Sequence, residues 1–256
     1  MKRDIIAVLF FLVSLTVASC SKFSNGEPVT EQRNIGKRFE VLCMYNNVNV
    51  NLKHSSHPHL ELTCPKNLID NIFTEVVGDS LVIRNDNDFK WLRSYNYTID
   101  LTVYYDSLRE INFASTARLI GLDTLRGMSM LDSLETTVHG FTLRVTEGCG
   151  DIDLTLNCDV LYDRFTNGTS SIVLHGQTAY SEHDLQSYGT INAMGLNSNF
   201  VRVQSRSTND VYVFVRNGGG LRTKIYSIGN IYYKGNPAPH YTSHESYGEG
   251  QLIKLE

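Results

Sequence analysis

The chain has 256 residues, 41% of them hydrophobic, and a formal net charge of -4. Setting aside Lys2, Arg3 and Asp4, which sum to +1, leaves -5, and no Lys/Arg cluster occurs; a nucleic-acid partner is excluded, since such proteins carry a basic patch or stripe. Length and hydrophobic share suit one large β domain or two small ones.

The first element is an export signal. "MKRDIIAVLFFLVSLTVASC" begins with Lys2 and Arg3, continues through an apolar run over residues 5–17 and ends on small residues before Cys20. The run is short for a membrane span, which needs about 20 apolar residues. Val17-Ala18-Ser19-Cys20 resembles a bacterial lipobox, whose cysteine is acylated after cleavage; the alternative is an ordinary signal peptide containing a cysteine. Residues 1–19 are thus expected to be removed and Cys20 lipidated, anchoring the chain in the outer membrane, surface-exposed or periplasm-facing. Residues 21–34, "SKFSNGEPVTEQRN", are polar, aperiodic and contain Gly and Pro, so 20–36 reads as a flexible tether, with folded structure over 37–256.

Next come "VNVNL", "LELTC", "SLVIRN" and "YTIDLTVYY", which alternate as half-buried strands. "PKNLIDNIFTEV" places Leu68, Ile69, Ile72 and Phe73 at helical spacing behind Pro65, which predicts one short helix. His54, His57 and His59 form the densest set of metal-ligating side chains, but a polar loop carrying Pro58 is a poor frame for three imidazoles, and no metal or other cofactor is expected.

Beyond residue 150 the chain repeats. Ile152, Ile172, Ile191, Val211 and Ile231 open similar short strands at spacings of 20, 19, 20 and 20 residues. Val145, Phe165, Leu185, Ser205 and Ile225 form a second column, and Leu161, Tyr180, Val201 and Leu221 a third. Three columns per period imply a stack of coils about 4.8 Å apart, each burying its inward side chains only against its neighbours. The expectation is an all-β, right-handed parallel β-helix (solenoid) with coils of about 20 residues, against a β-sandwich as the rival. Alternation points Ile152, Leu154, Ile172, Val211 and Ile231 inward, and Asp153, Asn192, Tyr212 and Tyr232 outward.

After Cys20 the cysteines are Cys43, Cys64, Cys149 and Cys158; an exported chain permits disulfides, and Cys149 with Cys158 would close a small loop, buried free thiols being the alternative. Asp151 and Asp153 lie in one coil and Asp210 takes the Asp151 position three coils later, but three coils span about 14 Å, too far for a carboxylate pair. Neither G-x-S-x-G nor a cysteine beside a histidine occurs, so no catalytic residues are expected. The outward Tyr212 and Tyr232, with Tyr188 and Tyr226, form a candidate ligand-contact face; a ladder that only stabilises the sheet is the plainer alternative.

The order of lipobox, tether, "RFEVLCMYNNVNVNLKHS", "PKNLIDNIFTEVVGDSLVIRN", "YTIDLTVYYDSLREINFASTA", repeated coils and "GNIYYKGNP" resembles the putative auto-transporter adhesin, head GIN domain family of Bacteroidota envelope lipoproteins. The resemblance covers residues from about 37 onward. At the place of the family's Gly-Ile-Asn triplet this chain has Asn47-Val48-Asn49, and in place of a Ser-Gly-rich tail it has "ESYGEGQLIKL". What the resemblance implies is a right-handed β-helical fold on the cell envelope, with no catalytic residues to transfer. The expected function is binding, to a glycan or to an envelope or host protein. A structural or regulatory module facing the periplasm and a carbohydrate-active enzyme are the alternatives.

Overall fold

A computed structural model describes residues 25–88, 97–131 and 137–256. The expected export signal and Cys20 lie outside the described residues, among which no helix is long and apolar enough to cross a membrane. The first half holds β1 (Pro28–Asn34), β2 (Val41–Asn46), β3 (Asn49–His54), β4 (His59–Pro65), β5 (Ile72–Val77), β6 (Ser80–Asn85), β7 (Asp100–Tyr105), β8 (Glu110–Ser115), β9 (Leu119–Leu125), β10 (Met128–Leu131) and β11 (Thr137–Val145). The second holds β12 (Asp151–Phe165), β13 (Ser171–Leu185), β14 (Thr190–Ser205), β15 (Val211–Ile225), β16 (Ile231–Lys234), β17 (Thr242–Ser246) and β18 (Leu252–Lys254).

The protein is all-β, and its sheet is mixed. Two ladders run through it. The first passes from β1 through β4, β7, β3 and β9 to the leading halves of β12–β15, then to β16 and β18. The second passes from β5 through β6, β2, β8 and β11 to the trailing halves of β12–β15, then to β17. Pairing is parallel along most of both, and antiparallel where β1 meets β4, β4 meets β7, β5 meets β6 and β10 meets β11. Of these, β5–β6 and β10–β11 join consecutive strands, a connection too short for parallel neighbours, whereas β1–β4 and β4–β7 pair strands far apart in the chain.

The register explains the 20-residue period. Ile152 pairs with Ile172, Ile172 with Ile191, Ile191 with Val211 and Val211 with Ile231, and all five are buried. Phe113, Val145, Phe165, Leu185, Ser205 and Ile225 form an equally continuous buried column on the other ladder. The inward faces of both ladders meet in one apolar cluster. Fully burying a side chain such as Phe165 or Leu185 contributes about 1.5–3 kcal/mol. The third expected column is off by one residue at a single coil: Ser181, not Tyr180, lies between Leu161 and Val201, while Tyr180 points outward between Val160 and Phe200. A strand alternates every residue, so choosing the more apolar of two neighbours selected the wrong face.

Two other expectations are corrected. Residues 28–34 are not tether: they form β1, antiparallel to β4 from Pro28 opposite Pro65 to Asn34 opposite His59. Its polar composition is that of an edge strand, yet Arg33 donates to the carbonyls of Ile69 (2.8 Å) and Ile72 (2.5 Å) and fixes it in place. The short helix reduces to one 3-10 turn, Ile69–Asn71, and Ile72 and Phe73 begin β5. Leu68, Ile69 and Ile72 are buried as the spacing required, but the β-branched Ile72, Thr74, Val76 and Val77 favour the pleated form, and β6 supplies the pairing.

One buried pair breaks the apolar rule. The inward column Leu42, Ile111, Leu143, Asp163, His183, Val203, Thr223 places a carboxylate and an imidazole in the core, with Asp163 Oδ2 3.3 Å from His183 Nδ1. Both side chains are excluded from solvent, and Asp163 Oδ1 and His183 Nε2 have no hydrogen-bond partner.

Candidate binding surface

The outward face of the first ladder carries the column Asp153, Val173, Asn192, Tyr212, Tyr232, Ile253. Parallel in-register pairing puts Tyr212 beside Tyr232, and their rings stack at 4.9 Å with 9° between planes. Both rings are half-buried, each covering the other while keeping an edge and a hydroxyl toward solvent. Burial raises the Tyr212 hydroxyl above its ordinary pKa, helped by the nearby Asp210, so it stays protonated and donates hydrogen bonds at physiological pH.

The four expected tyrosines do not share one face. Tyr226 follows the second ladder and stacks on Tyr247 at 5.1 Å, and Tyr188 lies 66% exposed in the connection between β13 and β14. Asp210 accepts the backbone N–H of Asn230 at 2.8 Å, the bond of a turn carboxylate, and Asp153 lies 3.5 Å from His175 on the next coil. His54, His57 and His59 have separate local partners: His59 stacks on Tyr104 at 4.0 Å, His57 Nδ1 is 3.0 Å from the Ser56 hydroxyl, and His54 meets Tyr105 edge-on at 5.8 Å.

The expected pairing of Cys149 with Cys158 is not formed, and all four described cysteines are free. Cys149 is exposed in a connection, whereas Cys158 is buried on β12 and its thiol is pushed up to about 11 by that burial. Spacing along the chain suggested a loop, but the strand that follows Cys149 turns the Cys158 side chain into the core.

A polar and aromatic surface on the second ladder went unread in the sequence. Tyr162, Glu182, Arg202 and Arg222 stand in one outward column, each 20 residues after the last, so the same period that revealed the core also marked this surface. Beside it Tyr180 lies between Tyr162 (6.3 Å, edge-on) and Phe200 (5.8 Å, stacked). The Tyr180 hydroxyl donates to Glu182 at 2.8 Å, and burial together with that carboxylate pushes it up to about 12. Glu182 also lies between Arg164 (3.6 Å) and Arg202 (3.5 Å), and Asp184 between Arg164 (3.7 Å) and Arg206 (3.4 Å).

Comparison with known proteins gives a family and a fold. The model of the putative auto-transporter adhesin, head GIN domain family matches residues 38–237. Among solved structures, a putative adhesin from Bacteroides fragilis is similar with a TM-score of 0.77 at 18% identity, covering 91% of this chain and 99% of that one. A putative adhesin from Parabacteroides merdae (TM-score 0.58, 17% identity) and a putative lipid binding protein from Parabacteroides distasonis (TM-score 0.56, 19% identity) each cover 91% of this chain and 98% of their own. No curated protein matches.

Proposed function

The chain belongs to the putative auto-transporter adhesin, head GIN domain family, and from that premise we propose that it is a lipid-anchored outer-membrane protein that binds a glycan or protein and does no catalysis. The coils are proposed to wind as a right-handed parallel β-helix. The residue-for-residue parallel register supports that reading, and the right hand is the one parallel strand connections overwhelmingly take.

The observation that carries the binding reading is the Tyr212/Tyr232 stack. Two preordered, mutually stacked rings on a sheet face lose little side-chain freedom when a partner docks, and tyrosine is enriched among residues that dominate interfaces. A ladder serving only the sheet contributes about 0.2–1 kcal/mol per cross-strand pair, whereas a binding anchor is worth about 2 kcal/mol or more. The two roles therefore separate by size and by assay. Replacing both tyrosines by alanine is expected to weaken adhesion of intact producer cells to a mucin-coated surface by about 30-fold. Protease shaving checks that parent and variant are displayed alike. Unchanged adhesion with a small loss of stability would leave the ladder as mere sheet packing.

Lipidation has its own test. Two or more acyl chains hold a protein on a bilayer durably, where a single chain gives only marginal binding. Cys20→Ala is expected to move the protein from the membrane to the soluble fraction, and persistent membrane association would overturn the anchor.

A further inference from the structure

The Arg202–Arg222 column ends in a groove of about 400 Å³ over β14, β15 and β17, lined by Arg202, Arg222, Lys224, His240, Tyr241, Ser243 and one carboxylate, Glu245. Parallel register sets Arg202 directly beside Arg222, one strand spacing or about 4.8 Å away, and like charges so placed destabilise a sheet. Arg202 is compensated by Glu182 on its far side at 3.5 Å. Lys224 is compensated by Glu245 at 3.1 Å, whose ionised form is held by the Tyr247 hydroxyl and by Lys224 itself. Arg222 has no such partner: it makes no ion pair among the described residues, its guanidinium rests over the Phe200 ring at 5.2 Å, and its neighbour on β17 is the neutral Ser243.

In a chain of net charge -4 an uncompensated arginine beside a second arginine, at the floor of a groove, is an anion receptor. The walls narrow the ligand class. Tyr241 is 51% exposed at the groove, and the Tyr226/Tyr247 stack stands four positions beyond Arg222 and Ser243; Arg206 covers the far side of Tyr226 at 4.7 Å, so Tyr241 and the outer face of Tyr247 are what a flat ligand meets. Hydroxyl and imidazole groups of Ser243 and His240 suit a partner rich in hydroxyls.

We propose that this groove binds an acidic saccharide, with Arg222 holding a carboxylate or sulfate of the sugar and the neighbouring tyrosines stacking on its ring. The site lies on the ladder opposite the Tyr212/Tyr232 pair and does not depend on it. The full-length chain in non-ionic detergent is passed over immobilised heparin, hyaluronan and polygalacturonate, with dextran as a neutral control. Retention is expected on at least one acidic polymer and not on dextran, and is released at about 1 M salt, where the Debye length falls to about 3 Å. Arg222→Gln is expected to weaken that retention about tenfold, the loss of one charge-assisted contact, and Tyr247→Ala to weaken it further. Arg216→Gln, in the corner between the two ladders, leaves it unchanged. No retention on any acidic polymer would overturn the proposal. So would retention that Arg222→Gln leaves intact. Preferential, Arg222-dependent binding to phosphatidylglycerol vesicles would assign the groove to a phosphate surface instead.

Discussion

Replacing Asp163 by valine together with His183 by leucine is expected to leave the protein as stable as the parent, or more stable by up to about 4 kcal/mol, whereas His183→Ala alone is expected to cost about 3–5 kcal/mol. Both groups sit at full burial in a column that accepts Leu143 on one side and Val203 on the other. Their single 3.3 Å contact is long, and one atom on each side goes unpartnered, so the pair recovers only part of the solvation it gave up. Removing one member strands the other; removing both lets the column close with shapes it already tolerates. Urea unfolding of the three chains measures this, and a double variant as weak as His183→Ala would mean the pair holds something beyond itself.

The same carboxylate sets a pH dependence. Desolvation raises Asp163 above the ordinary carboxylate value, with His183 pulling in the opposite direction. The folded protein therefore keeps a proton that the unfolded chain releases. Stability from this group is complete below about pH 3.9 and is lost as pH rises through the raised folded value. Asp163→Asn lacks that titration, so its stability relative to the parent is expected to increase with pH over this window. A difference that stays flat would mean that Asp163 is ionised in the fold.

The second large effect concerns a corner glycine. Gly176 has φ +101° and pairs with Leu156 on the preceding coil, where an added Cβ would sit 1.9 Å from the Leu156 carbonyl oxygen. Gly218 also has positive φ, +79°, but nothing lies within 4 Å of its missing Cβ. Alanine at Gly218 is expected to cost about 1 kcal/mol from the backbone alone, while alanine at Gly176 adds displacement of a coil and is expected to exceed about 3 kcal/mol. Urea midpoints at constant slope compare them, and equal losses would show that the stack yields at that corner.

How far the fold was legible follows from what repeats. Ile172 and Phe165 announce their neighbours because stacking demands the same face every 20 residues, and the core of the second half could be read column by column. Tyr180 failed because apolarity was used where only parity decides the face. β1 was hidden for a different reason: no periodicity marks it, and its place depends on Arg33 reaching carbonyls 36 and 39 residues away. The Tyr212/Tyr232 contact followed from alternation and period alone. The arginine groove needed the turn at Pro239–Tyr241 and β17 to give the column a wall, and those elements lie beyond the regular repeat.

The residue-for-residue pairing of β12 with β13, and of most of β13 with β14, bears on how such chains change length over time. Excising residues 166–185 would join Phe165 to Gln186 and set Ile152 against Ile191 and Phe165 against Ser205, with every inward side chain still inward. A one-residue difference has to be absorbed by a local break in the ladder, as between Val173 and His175, where the spacing to the next strand changes from 19 to 20. Length changes that keep this register without a new bulge are therefore whole repeats of about 20 residues, and each repeat gained or lost changes the reach by about 4.8 Å.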